Sequence, residues 1–127
     1  MILSKKLLLP AVRLACLAYW LLLSVLLLVP DPLALLGIQR LPGLPTRKLE
    51  HFILFTLLTV LVHASRLPIR RGLLVALLLS YAIGTEMLQS LIPHRAVELL
   101  DFLENLCGLA AGTAIWWLAR TIKGAEQ

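Results

Sequence analysis

The chain has 127 residues, of which 60% are hydrophobic and 15% charged, whereas a soluble domain averages nearer half apolar and a quarter charged. Its formal charge of +5 would admit a nucleic-acid partner, but the basic residues stand at the ends of apolar runs and form no stripe interleaved with aromatics. Composition therefore excludes an ordinary soluble domain and argues against nucleic-acid binding, leaving one membrane domain.

A span of the hydrocarbon core needs about 20 predominantly apolar residues. Four stretches meet that length, so the expected fold is all-α, a bundle of four transmembrane helices. The first covers 9–29 and is interrupted by Arg13, whose long side chain can snorkel to an interface. It is too long for the apolar core of a signal peptide and has no small-residue cleavage site before Pro30, so it reads as a retained span. A loop rich in Pro and Gly follows, and Leu33–Ile38 is apolar enough to lie on the membrane surface.

The second span covers 49–67, after Thr46-Arg47-Lys48 and before Pro68. A basic turn, Arg70-Arg71-Gly72, leads to the third, 73–92, which Pro93 stops. The fourth, 99–119, closes on Trp116, Trp117 and Arg120, an aromatic and basic interface anchor. Cys16 and Cys107 both lie inside apolar runs and read as buried small hydrophobes. With the N-terminus inside, Lys5, Lys6, Arg13, Arg66, Arg70, Arg71, Arg120 and Lys123 are cytoplasmic, against Arg40, Arg47, Lys48 and Arg95 outside. Eight against four predicts N-in and C-in.

Polar groups then converge on the outer side. Residues three or four apart share a helix face. Lys48 and His51 share one at the start of span two, and Glu86 and Gln89 share one near the end of span three. On span four Glu98, Asp101, Asn105, Gly108 and Gly112 form one stripe, polar at its outer end and small further in. Counting back from Pro93 puts Glu86 about 10 Å deep. Ionisable groups at such depth are costly and often functional.

Structural roles compete for each residue. Glu86 could pair with Arg95 or Lys48 to hold helices together. Glu98 and Asp101 suit a helix start, where carboxylates meet free N–H groups. Asn105 suits an interhelical hydrogen bond, and Gly108-x-x-x-Gly112 a packing notch. His51 is the candidate for proton chemistry near neutral pH. His63, in register with Thr59 and Thr56, reads as packing and hydrogen bonding rather than as a site. His51, His94, Glu86 and Asp101 lack the close spacing of a metal site, so neither metal nor cofactor is expected.

The combination of Lys48 with His51-Phe52, Glu86-x-x-Gln89, Pro93-x-Arg95 and Asp101-x-x-x-Asn105-x-x-Gly108-x-x-x-Gly112 resembles the VanZ-like bacterial membrane proteins, a family named for a teicoplanin-resistance accessory protein. The resemblance covers residues 46–112. Members often carry Asp immediately before the Lys, where this chain has Arg47, and His94 stands where a small residue is common. The resemblance implies a multi-pass protein of the bacterial inner membrane. An outward cleft of Lys48, His51, Glu86, Gln89, Arg95, Asp101 and Asn105 would bind a lipid or cell-wall-related ligand and affect antibiotic sensitivity. The alternative is an enzyme on lipid-linked intermediates with Glu86 or His51 as general base. A proton-coupled transporter fits less well, since such proteins set their acid near the midplane.

Overall fold

A computed structural model describes residues 2–30, 37, 49–93 and 98–125, with side chains from residue 7 to residue 124 within them. Among these residues the regular structure is four helices: α1 (Ile2–Leu28), α2 (Glu50–Ala64), α3 (Arg71–Gln89) and α4 (Leu99–Ala125). Three contain stretches long and apolar enough to cross a membrane, Leu7–Leu28, Arg71–Gln89 and Leu99–Gly124.

The expected second span is shorter than 49–67. At 15 residues, α2 is about 22 Å long, less than the ~30 Å hydrocarbon core. It stops because Arg66 takes a left-handed conformation (φ 45°) and Pro68 follows two residues later. α3 also ends early, at Gln89, four residues before Pro93. The chain tightens there into turns, with Leu91 N–H donating to Leu88 O and Ile92 N–H to Gln89 O. A residue preceding proline disfavours the helical region, so the last turn cannot continue. Glu86 is therefore three residues from its helix end, about 5 Å deep along the axis, half the expected depth.

Around the bundle the neighbours run α1, α2, α4, α3 and back to α1, with α2–α4 the most extensive contact. The core collects Leu23 and Leu27 of α1, Phe55 and Leu58 of α2, Leu78 and Ala82 of α3, and Leu109 of α4. Leu14, Leu22, Ile53, Leu77, Met87 and Leu118 point outward and are largely exposed. A surface this apolar on every helix needs lipid to cover it. Cys16 is buried, but Cys107 is exposed on the outward side of α4, contrary to the expectation that both are buried. The stripe carrying Asn105 and Gly108 faces α2, and Cys107 falls off that stripe.

Lipid supplies little hydrophobic drive between helices, so close packing and hydrogen bonds hold them. Both operate in the α2–α4 seam. A Cβ added to Gly108 would meet Phe52 O at 2.7 Å, and one added to Gly112 would meet Thr56 O and Thr59 Cβ at 2.6 Å. The two α4 glycines therefore rest against the backbone of α2. Elsewhere side chains bridge the ring: Tyr19 Oη donates to Leu54 O (2.9 Å), and Tyr81 Oη pairs with Ser24 Oγ (2.9 Å). Arg13 does more than snorkel. Its Nε donates to Ser65 O (3.1 Å) and its Nη2 to Arg66 O (3.2 Å), tying α1 to the carbonyl end of α2, where the helix dipole favours a cation.

Candidate functional site

The first turn of α2, the last turn of α3 and the first two turns of α4 meet at one end of the bundle. The glycine seam determines how closely. Gly108 lies one turn beyond Asn105, and Phe52 directly follows His51. Contact between Gly108 and Phe52 therefore draws the imidazole onto the polar part of the α4 stripe.

Asn105 is fully buried and stands at the centre. Its Nδ2 donates to Glu86 Oε1 at 2.8 Å, and its Oδ1 lies 2.9 Å from His51 Nδ1. A carboxylate only accepts, so the amide must turn its NH2 to Glu86 and its carbonyl to the ring. The carbonyl then requires a proton on His51 Nδ1, which fixes the ring's orientation and tautomer. The opposite nitrogen, Nε2, is left 3.8 Å from Asp101 Oδ2. His51 Nδ1 is also 3.8 Å from Glu86 Oε1.

A chain of polar groups thus runs from buried Glu86 through Asn105 and His51 to Asp101, whose side chain is 25% exposed against 7% for Glu86. Its outer end can bond a visitor: neutral Nε2 accepts a proton or hydrogen bond, protonated Nε2 donates one, and Asp101 accepts. Glu86 also lines a shallow groove of about 460 Å³ with Ile83, Met87, Ser90 and Phe102, mostly apolar and open on the lipid-facing side of α3.

The other expected site residues divide into two groups. Gln89 is buried, but its Nε2 donates to Leu27 O of α1 (2.9 Å), so it fastens α3 to α1 and does not enter the His51 chain. Lys48 and Arg95, together with Arg47 and His94, lie outside the described residues. Glu104 was not among the expected residues. Its carboxylate lies near the Phe52 backbone N–H, in the open first turn of α2, and beside Asp101, His51 and Glu50. The signal was available, because Glu104 follows Asp101 by three positions and so shares its side of α4.

The VanZ/LLP1 family model matches residues 12–120. The chain belongs to the VanZ/LLP1 family. The matched region takes in all of α2 and α3 and most of α1 and α4, so the family pattern reaches well beyond 46–112 and includes the buried face of α1. No curated protein and no solved structure matches the chain. Family and helices together make it a VanZ-like integral membrane protein.

Proposed function

We propose that this VanZ-like protein binds or handles the polar part of a lipid or cell-wall-related ligand at the outer face of the bacterial cytoplasmic membrane, and so alters antibiotic sensitivity. The orientation that goes with this reading is N-in and C-in, which puts His51, Glu86, Asp101 and Asn105 outside. One observation carries it: the Glu86–Asn105–His51–Asp101 chain joins three helices, starts at a buried carboxylate and ends at a partly open imidazole–carboxylate pair. A single structural pair would need only two of these groups. The groove beside Glu86 supports a lipid-borne ligand, since its apolar wall suits a chain while Glu86 and Ser90 suit a headgroup.

A second reading, an enzyme acting on lipid-linked envelope intermediates, is favoured by the ring geometry. With Nδ1–H held by Asn105, His51 Nε2 is directed outward as a general base needs to be. His51→Gln separates the two readings in vivo. The amide keeps hydrogen-bonding capacity but cannot act as a base, so binding survives and catalysis does not.

The principal test is Glu86→Gln, which retains an acceptor for Asn105 and removes the charge. If the site serves a ligand, the purified variant melts within a few degrees of wild type, yet fails to restore glycopeptide tolerance to a deletion strain. Melting far below wild type, with tolerance falling only in step with protein level, would make Glu86 a structural partner and sink the reading. Orientation is checked separately: in a cysteine-free background, Gly72→Cys must resist an impermeant thiol reagent added from outside.

A further inference from the structure

At the opposite end of the bundle, the α2–α3 turn and the facing sides of α3 and α4 enclose a cleft unused by the His51 site. It is lined by His63, Arg66, Arg71, Trp116 and Arg120 over a floor that includes Val62 and Leu74, with a volume of about 280 Å³. An adjoining space of about 320 Å³ shares His63, Arg71, Trp116 and Arg120, and continues between Val75 and Trp117. His63 stacks on Trp116, with ring centroids 6.2 Å apart and planes 10° apart, and the Arg71 guanidinium lies 5.5 Å from the centre of the Trp117 ring. Among the described residues, no carboxylate lies within ion-pairing distance of Arg66, Arg71 or Arg120.

From this juxtaposition we propose that the cleft holds the phosphate of an anionic phospholipid from the leaflet at that end, Arg71 and Arg120 clasping the headgroup and the apolar floor receiving the start of an acyl chain. Planar guanidinium groups present forked donors matched to phosphate, and stacking on tryptophan fixes one of them in advance of the ligand. A free phosphate would satisfy the arginines alone. The floor of Val62, Leu74 and Val75 favours a molecule apolar on one side, as a lipid is. Basic pockets between membrane helices are a known means of lipid-specific recognition. The inference does not depend on which compartment this end faces, nor on the role of the His51 site.

The test uses the full chain with Trp20→Phe, leaving Trp116 and Trp117 as the only indoles, in phosphatidylcholine nanodiscs doped with brominated phosphatidylglycerol or brominated phosphatidylcholine. Quenching of the remaining tryptophans should half-saturate at a clearly lower fraction of the anionic lipid. Arg71→Gln and Arg120→Gln should each raise that fraction about fivefold, while Lys123→Gln, at the same end but outside the cleft, leaves it unchanged. Three results would overturn the proposal: equal quenching by both lipids, an equal shift on Lys123→Gln, or reversal of quenching by millimolar inorganic phosphate. The first marks no selectivity, the second diffuse attraction, and the third a free-anion site. Should the arginine variants fail to fold, lipid selectivity and phosphate competition, both read without them, decide the matter.

Discussion

Among the described residues, the two ends of this bundle carry opposite charge and treat it in opposite ways. Of these residues, Glu50, Glu86, Glu98, Asp101 and Glu104 gather at the His51 end, while Arg13, Arg66, Arg70, Arg71, Arg120 and Lys123 gather at the other. At the His51 end, polar groups are drawn inward and bonded to one another, with Asn105 and Glu86 both buried. At the arginine end the cations stay exposed, with Arg71 over an indole ring and Arg13 on backbone carbonyls. The difference follows from burial. A polar group removed from water must find a partner within the protein, and the partner then fixes its position. A guanidinium at an interface needs none, and remains available to an anion from outside.

The glycine seam holds α4 against α2 and so assembles the His51 end, and breaking it should have the largest effect. Gly112→Leu would drive a branched side chain into Thr56 O and Thr59, both atoms fixed in α2. Overpacking against backbone costs about 3 kcal/mol or more. Gly108→Ala, whose Cβ would sit 2.7 Å from Phe52 O, should cost about 1–3 kcal/mol and lift His51 away from Asn105. Unfolding by SDS titration in mixed micelles gives both values. Wild-type curves for both variants would mean that α2 and α4 are not in contact.

Next in size is Asn105→Ala, which removes the bonds to Glu86 and His51 together. Interhelical hydrogen bonds in membranes contribute about 1–2 kcal/mol, and the loss of a bond by polar groups that stay buried adds to the cost. The expected fall is about 2 kcal/mol, with the His51 ring freed to rotate. Asn105→Asp should be worse than Asn105→Ala, since a second carboxylate would face Glu86. If the order is reversed, Glu86 does not meet position 105 as an acceptor.

The sequence made some of this organisation legible and hid the rest for physical reasons. Long apolar runs mark helices, and the arithmetic of three and four places Asp101, Asn105, Gly108 and Gly112 on one line whatever the tertiary structure. Helix ends depend on a few bonds near the terminus. Counting to Pro93 overshoots the end of α3, because the chain tightens before the proline, and nothing in the 49–67 run shows that Arg66 will turn left-handed. Partners across the ring are harder still. Gln89 shares a face with Glu86 by spacing, but bonds Leu27 because α1 and not α2 borders that edge of α3. The fates of Arg13 and Cys107 likewise depend on which helix is the neighbour. His63 occupies the edge of a basic cleft because Trp116 and Arg120 arrive from more than 50 residues away, and no pattern within α2 encodes them.

Arg66 holds φ at 45°, a conformation that glycine adopts freely and a side chain adopts at a cost of about 1 kcal/mol. Its own side chain is exposed and lines the cleft, while its carbonyl receives Arg13. Arg66→Gly relieves the backbone and removes one cation, whereas Arg66→Ala removes the cation and keeps the strain. Arg66→Gly should therefore be more stable than wild type by about 0.5–1 kcal/mol, and Arg66→Ala close to wild type. Both should bind the anionic lipid less well, because the charge they lose is the same. That separation, stability set by the backbone and affinity by the side chain, is what an exposed cation free for a ligand requires. At Asn105 the two properties cannot be parted, since that residue holds fold and site with the same two bonds. If Arg66→Gly instead loses stability in detergent, where no phospholipid is present, the Arg66 side chain supports the fold, and the contrast between the two ends is smaller than the geometry indicates.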